Sequence, residues 1–353
     1  MRKGKRLIAW IMAVVMLFTI CVFGGNGTAE AAATTPVAKH GRLSVKGADL
    51  VDSKGNKFQL RGISTHGINW DVGSPYVNKK AFKTLRDDWG VNAIRLAMYT
   101  EEYNGYCSGG SQAKLRKLVD KGVGYATDLG MYAIIDWHIL SDGNPNKNKS
   151  QAKKFFTTMA KKYKNNKNVI YEICNEPNGC GWKEIKSYAT DIIKTIRKYD
   201  KKAVIIVGTP TWSQLGTDGT SNEVADSPIK GYKNIMYSLH FYASEWAHNE
   251  YLPAKVAYAR KKKLPIIVSE FGLSPASGDG AINQASADKW MKLLNKYNIS
   301  YFCWSLSNKN ESASLLKPST KKTSGWKSGD LSTAGKYIKK KYLARKKALG
   351  KKA

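Results

Sequence analysis

The stretch VIYEICNEPNG, residues 169–179, decides the fold of this chain. Residues 169–173 form a run rich in β-branched and apolar side chains, which is typical of a strand buried in a protein interior. The run leads into Asn175, Glu176 and Pro177. Proline has no N–H for a sheet ladder and restricts the residue before it to extended conformations, so the strand ends there. The stretch therefore predicts a buried strand that delivers an amide and a carboxylate side by side at its end.

Similar runs recur along the chain, starting about 30 to 40 residues apart. Including the first, they lie at residues 58–65, 92–99, 132–138, 169–176, 203–210, 235–242, 265–272 and 300–307. Near-continuous apolar strands indicate burial on both faces, and hence a parallel sheet. Most segments between them repeat apolar residues at three-four spacing, which is typical of amphipathic helices. Eight strands alternating with helices predict an α/β fold, a (β/α)8 TIM barrel.

Two further observations refine this prediction. A doubly wound sheet would carry a glycine-rich phosphate loop after an early strand, and the sequence has no such loop there. Ahead of the first barrel strand, residues 43–60 predict a short N-terminal β-hairpin that turns at residues 53–56. We expect this hairpin to cover the floor of the barrel.

Polar and aromatic residues collect at the carboxyl ends of the predicted strands. They are His66, Arg95, Tyr99, His138, Asn175, Glu176, Trp212, His240, Tyr242, Glu270 and Trp304. Barrel enzymes carry their active sites at this face. Any one of these residues alone could be structural, but their concentration at one mouth predicts an active site.

The two glutamates fit a two-carboxylate glycoside hydrolase. Such an enzyme needs one carboxyl group with a raised pKa, which protonates the leaving oxygen, and one ionised carboxylate, which attacks the anomeric carbon. The surroundings of each group decide its role. A carboxylate close to Arg95 and to a tyrosine hydroxyl would be held in the ionised form.

Several motifs together resemble glycoside hydrolase family 5, most closely its bacterial endo-1,4-β-glucanases, or cellulases. They are YEICNEPNG, DWHILSD, LHFYA, IIVSEFG and WSLSNKNESASLL, and the resemblance extends from about residue 41 to residue 342. It implies a retaining mechanism with Glu176 as acid/base and Glu270 as nucleophile. It also implies supporting roles for Arg95, His138, Asn175, His240 and Tyr242. Asn175 would hold the 2-hydroxyl of the sugar.

The substrate class is predicted from side chains that suit a sugar. The apolar faces of sugar rings stack on flat side chains, while their hydroxyl groups need polar partners. The predicted substrate-binding residues are His66, Trp70, Tyr99, Trp212, Trp304, Lys309 and Glu311. Cellulose-type and mixed-linkage β-glucans are the expected substrates, and mannan or xylan remain alternatives because the same family also contains mannanases and xylanases.

The two ends of the chain differ from its middle. Residues 1–33 combine a basic start, an apolar stretch and small residues near a cleavage site, which predicts a signal peptide and a secreted, extracellular protein. An uncleaved membrane anchor is the alternative. Residues 34–342 are assigned to the catalytic barrel and residues 343–353 to a basic C-terminal tail. This tail could attach weakly to an anionic cell envelope or simply be frayed.

The net charge of +31 invites a nucleic-acid hypothesis. The lysines, however, are scattered over the predicted helices, and no nucleic-acid-binding motif accompanies them. We therefore expect no nucleic-acid partner; a salt-sensitive gel shift would favour one. The partner is expected to be a β-glucan, and the protein a monomer.

Other classes of function were weighed on the same residues. A metal-dependent hydrolase would use His66, His138 and His240, and EDTA would inhibit it; we expect no metal and no cofactor. A non-catalytic glucan-binding protein would retard in a glucan gel without releasing sugar, but both carboxylates are present. Cys174 and Cys180 could pair around the turn or remain free thiols.

Overall fold

The computed structural model of the protein describes residues 35–350. The predicted signal peptide and residues 351–353 of the predicted tail lie outside this range. Within the described range, no helix has the length and apolar character needed to cross a membrane. The four cysteines of this range, Cys107, Cys174, Cys180 and Cys303, are all unpaired.

The barrel is closed and entirely parallel, which confirms the predicted (β/α)8 fold. Its strands are β3 (Arg61–Thr65), β4 (Ala93–Tyr99), β5 (Tyr132–His138), β6 (Val169–Glu172), β7 (Ile205–Val207), β8 (Ile235–Tyr242), β9 (Ile266–Gly272) and β10 (Tyr301–Leu306). They follow one another around the barrel in sequence order, and β10 closes the barrel against β3.

Helices surround the strands and pack their apolar faces on them. They are α2 (Lys79–Trp89), α3 (Gln112–Asp128), α4 (Lys149–Tyr163), α5 (Trp182–Arg197), the short α6 (Pro210–Ser213) and α7 (Glu223–Asp226), α8 (Trp246–Lys261), α9 (Gln284–Tyr297) and α10 (Thr333–Gly350). In α5, for example, the buried residues recur every three or four positions from Trp182 to Ile196. One large apolar core therefore lies between helices and sheet.

The N-terminal hairpin lies at the floor of the barrel, as predicted, but it turns earlier. After helix α1 (Pro36–His40), strands β1 (Ser44–Lys46) and β2 (Asp49–Val51) pair around a turn at residues 47–48. Gly47 adopts φ 59° there, which glycine accepts without strain. The predicted turn at residues 53–56 is a second reversal, in which Asp52 Oδ1 accepts hydrogen bonds from the backbone of Lys54 and Asn56, both at 2.9 Å.

The predicted boundary at residue 342 falls inside a helix. Helix α10 continues through Tyr342 to Gly350. The Tyr342 hydroxyl donates to the carbonyl of Gly62 at 2.9 Å, and Arg345 Nε donates to Gln59 Oε1 at 2.8 Å. Most of the predicted basic tail is therefore helical, and Arg345 ties it to the barrel floor.

Candidate active site

The interior of the barrel is built in layers along its axis. Alternate residues of each strand point inward. The layer at the floor is apolar and includes Tyr132, Ile134, Ile170, Ile206, Met236, Ile267 and Phe302. Polar residues follow one step further along the strands, and the predicted site residues lie above them at the carboxyl ends.

Glu176 and Glu270 face one another across the mouth. Glu270 lies in β9, whereas Glu176 follows β6 by four residues, because that strand ends at Glu172 rather than at the predicted residue 176. A carboxylate oxygen of each, together with a ring nitrogen of His240, lie within 4.8 Å of one another. Retaining glycosidases hold their two carboxyl groups about 5–5.5 Å apart, whereas inverting enzymes need about 6.5–9.5 Å for a water molecule. The pair has the closer, retaining separation.

Glu270 accepts hydrogen bonds from one charged donor and one hydroxyl donor. Arg95 Nη1 lies 2.9 Å from Glu270 Oε2 and donates to it, and the Tyr242 hydroxyl donates to Glu270 Oε1 at 2.8 Å. Arg95 is fully buried. Hydrogen bonds from charged or hydroxyl donors stabilise a carboxylate more than a neutral acid. These are the surroundings expected from the sequence for the attacking group.

Glu176 lies in surroundings of the opposite kind. Burial raises its pKa to about 8, and the more distant charge of Arg95 lowers it by less than burial raises it. Its side chain keeps 13% exposure toward the mouth. Glu176 therefore holds a proton at neutral pH, and its pKa suits a general acid.

His240 lies between Glu176 and two serine hydroxyls inside the barrel. Its Nδ1 lies 2.8 Å from Glu176 Oε1 and its Nε2 lies 2.9 Å from the hydroxyl of Ser269, which also contacts Ser238. Burial lowers the pKa of His240 to about 4, so the ring is neutral at neutral pH. A neutral imidazole has one donor and one acceptor. If Ser269 donates to Nε2, then Nδ1–H donates to Oε1 and leaves the proton of Glu176 on Oε2.

Arg95 joins the site to two carboxylates that the sequence analysis did not single out. Its Nε donates to Glu172 Oε2 at 2.7 Å, and its Nη2 lies 3.0 Å from Asp136 Oδ2. Burial raises the pKa of Asp136 to about 7 and also raises the pKa of Glu172. Both belong to the polar layer beneath the mouth, and Asp136 precedes His138 by two residues on the same strand face.

Asn175 and His138 hold each other in fixed orientations. His138 Nδ1 lies 2.6 Å from Asp136 Oδ2, and Asn175 Nδ2 donates to His138 Nε2 at 3.2 Å and to the Ile139 carbonyl at 3.1 Å. Asn175 Oδ1 accepts from Arg95 Nη2 at 2.6 Å. Both amide protons are thus engaged, and Oδ1 keeps one lone pair that can accept a hydrogen bond from a sugar hydroxyl.

Aromatic residues form a continuous wall beside the carboxylates. Trp304 stacks against His138 with ring centroids 5.4 Å apart, and His66 lies 5.1 Å from Trp304. Trp70 packs on Tyr99 at 4.6 Å. Burial lowers the pKa of His66 to about 3, so its ring is neutral. The wall offers flat, mostly apolar faces of the kind on which sugar rings stack.

The loop after β10 supplies charged groups to the same wall. Lys309 Nζ lies 2.5 Å from Glu311 Oε2, and Glu311 Oε1 lies 3.7 Å from His66 Nε2. Glu311 Oε1 is buried and has no hydrogen-bond partner among the described residues. This oxygen therefore keeps an unused acceptor position beside His66.

Trp212 lies on the other side of Glu176 and is 43% exposed. It belongs to a left-handed turn in which residues 211–213 all have positive φ. The backbone N–H of Trp212 donates to the Pro177 carbonyl at 3.1 Å, and the Ser213 hydroxyl donates to the Asn175 carbonyl at 2.7 Å. The turn therefore hydrogen-bonds to the backbone on both sides of Glu176 and leaves the Trp212 side chain partly exposed.

Comparison with known proteins identifies the family of the chain. Residues 51–310 match the family model described as cellulase (glycosyl hydrolase family 5). The chain belongs to glycosyl hydrolase family 5. It is therefore a glycoside hydrolase, as the resemblance of its motifs implied.

Relatives and solved structures extend the comparison. The chain is 47% identical to an endoglucanase of Clostridium saccharobutylicum over 95% of its own length and 72% of that protein. It is 44% identical to endoglucanase 5 of Pectobacterium carotovorum subsp. carotovorum, covering 92% of this chain and 62% of that one. The catalytic domain of Thermobifida fusca endoglucanase Cel5A, solved with cellotetraose, matches with a TM-score of 0.81 and 37% identity over 88% of this chain and 99% of that chain.

Proposed function

We propose that the protein is a retaining endo-1,4-β-glucanase that hydrolyses internal bonds of cellulose-type and mixed-linkage β-glucans. The observation that carries the proposal is the pair of close carboxyl groups in opposite surroundings: Glu270 accepts hydrogen bonds from Arg95 and Tyr242, while burial keeps Glu176 protonated. The names of the relatives and the cellotetraose bound to the Thermobifida fusca domain support the choice of β-glucan.

The first half of the reaction forms a glycosyl-enzyme. A carboxylate oxygen of Glu270 attacks the anomeric carbon and forms a covalent bond, while the bond from that carbon to the glycosidic oxygen breaks. Its electron pair passes to the leaving oxygen, which takes the proton of Glu176. The hydrogen bonds from Arg95 and Tyr242 hold the attacking carboxylate in position.

The second half returns both glutamates to their starting states. Glu176, now ionised, takes a proton from a water molecule that attacks the anomeric carbon from the side of the departed sugar. The bond to Glu270 breaks, and the product keeps the configuration of the substrate. Asn175, oriented by Arg95 and His138, offers Oδ1 to a sugar hydroxyl throughout.

Side-by-side assays on carboxymethyl cellulose, barley β-glucan, xylan and mannan test the substrate class. The proposal expects the first two to be hydrolysed fastest, and faster hydrolysis of mannan or xylan would overturn it. The same assay with EDTA should show no loss, because Glu176 and Glu270 act here without a metal. Binding of glucan without any release of reducing sugar would contradict the proposal that the protein is a hydrolase.

We also propose that the protein is secreted as a monomer and attaches weakly to an anionic cell envelope. The basic and apolar pattern of residues 1–33 and the net charge of +31 support this. Removing residues 343–353 would also remove Arg345, which contacts the barrel. A better test neutralises Lys346, Lys347, Lys351 and Lys352 as glutamine and measures adsorption to an anionic resin at low salt, which should fall. Unchanged adsorption would reject attachment through this segment.

A further inference from the structure

A basic groove lies at the floor of the barrel, at the opposite end from Glu176. It has a volume of about 1490 Å³ and runs between the N-terminal ends of β3 and β4, the α1 segment and the last turns of α10. Among residues 35–350, eight lysine and arginine side chains line it, against two aspartates. The proposed hydrolysis makes no use of this groove.

Arg61 is the fixed element of the groove. It is the first residue of β3 and is only 8% exposed. Its Nε donates to the Gly90 carbonyl at 3.3 Å, but its two Nη groups have no hydrogen-bond partner and no ion pair among residues 35–350. Neither Nη group is among the fully buried unpaired atoms of residues 35–350, so both still reach the groove, where an anion can approach a guanidinium that has no counter-charge.

The neighbouring charges do not neutralise Arg61. Burial lowers the pKa of Arg61, the neighbouring Tyr301 and Tyr342 raise it, and the positive charge of Arg345 lowers it. Arg345 itself donates to the neutral oxygen of Gln59. Of the two aspartates in the groove, Asp52 is engaged by His40 at 3.1 Å, and Asp87 by Arg86 at 2.7 Å and by Lys83.

We propose that this groove binds phosphate groups, with Arg61 as the fixed ligand and Lys346 and Lys347 as mobile ones. The planar guanidinium fits two oxygens of a phosphate at once, and ammonium groups on flexible stems add charge from the side. Burial holds the Arg61 guanidinium in place, so little side-chain entropy is lost when an anion binds. This inference rests on the proposed attachment to an anionic envelope and makes it more specific, because it identifies phosphate as the group that is bound. The phosphate is either free or carried on a polymer.

Calorimetric titration of the full chain with inorganic pyrophosphate at low salt tests the site. The wild type should bind saturably with one pyrophosphate per chain. Arg61→Gln should weaken binding about tenfold or more, the effect of losing charged hydrogen bonds. Lys346→Gln with Lys347→Gln should weaken it severalfold, and both variants should hydrolyse β-glucan at the wild-type rate.

A matched control separates a site from a general charge effect. Lys153→Gln with Lys154→Gln removes the same charge from the exposed face of α4, away from the groove, and should leave the affinity unchanged. Equal weakening by the two lysine pairs, or an unchanged affinity in a folded Arg61→Gln, would overturn the proposal. If Arg61→Gln fails to fold, the comparison of the two lysine pairs decides.

A second ligand distinguishes the two sources of phosphate. Linear polyphosphate that binds more tightly than pyrophosphate, with the same sensitivity to Arg61→Gln, would show that the groove takes consecutive phosphates of a polymer. Equal affinity would show a site for a free phosphate. Failure of pyrophosphate binding rejects the groove alone, since adsorption to resin and hydrolysis of glucan are measured separately.

Discussion

Replacing Glu176, which carries a proton while buried, with glutamine should raise the free energy of unfolding. This gain in stability should grow with pH. Burial raises the pKa of Glu176 from 4.5 to about 8. Between these two values the native state holds the proton and the unfolded state does not, so the free energy of unfolding falls as pH rises. At about 1.4 kcal/mol per pH unit, the full loss is roughly 5 kcal/mol at pH 8. In Glu176→Gln this side chain is neutral in both the native and the unfolded state, so the variant does not lose that stability as pH rises.

Urea unfolding followed by tryptophan fluorescence at pH 5, 6, 7 and 8 measures the effect. Glu176→Gln should match the wild type near pH 5 and exceed it by several kcal/mol at pH 8, with the difference growing steadily between. Asp136 and Glu172, whose pKa values burial also raises, are present in both proteins, but their charges help to raise the pKa of Glu176, so the difference at pH 8 includes this coupling.

Glu270→Gln is the matched control at the same mouth. Glu270 accepts from Arg95 and Tyr242, so an amide would break the Glu270–Arg95 ion pair and leave the buried guanidinium with Glu172 and Asp136 alone. This variant should lose about 3 kcal/mol, the cost typical of breaking a buried pair. A constant difference between Glu176→Gln and the wild type across the whole pH range would refute the reasoning, because Glu176 would then be ionised in the resting protein.

Three further outcomes follow from the same geometry. The kcat/KM for soluble β-glucan should fall as pH rises through about 8, where Glu176 loses its proton in the free enzyme; a flat profile to pH 9.5 would contradict this. NMR of the first product should show the β-anomer, and the α-anomer first would exclude a retaining mechanism. Trp304→Ala should mainly reduce glucan turnover, whereas Trp290→Ala, which removes a ring stacked on Phe241 at 4.0 Å, should mainly reduce stability; equal losses of both would make Trp304 a core residue.

The barrel could be predicted because its sequence signal is repeated eight times. Each strand is an apolar run buried on both faces, and most of the segments between strands show three-four spacing, so an error in one element does not change the fold. Two of the strands are shorter than the predicted runs: β6 ends at Glu172 and β7 spans only Ile205–Val207. The ends of strands depend on the hydrogen bonds of their neighbours, which a single run does not show.

The hairpin and the C-terminal boundary show where local patterns mislead. Residues 53–56 carry the residues of a turn and do form one, but Gly47 allows an earlier reversal that pairs β1 with β2. The lysine-rich end of the chain was interpreted as a separate tail from its charge alone. Tyr342 and Arg345, whose side chains reach the barrel, make it part of α10.

The polar layer beneath the mouth has a sequence signal of its own. Asp136 and Ser238 lie two residues before His138 and His240, and alternation along a strand places each on the same inward face as the site residue. Ser269 and Glu270 are adjacent in β9, so regular alternation would place their side chains on opposite faces of the strand. Both nevertheless reach the site. The pairing of β8 with β9 shifts register between Ser238 and His240, and such an irregularity has no sequence signature here.

The two glutamates have different roles in this mechanism, and the products of their alanine variants with an aryl cellobioside distinguish those roles. Glu176→Ala should still form the glycosyl-enzyme, because a good leaving group needs no proton, while its activity on glucan falls by about 10² to 10⁴. Added azide, which needs no deprotonation, should then release a β-glycosyl azide. Glu270→Ala should form no glycosyl-enzyme with any substrate. A β-glycosyl azide from Glu270→Ala instead of Glu176→Ala would reverse the two roles, and full activity of both variants on glucan would contradict the account.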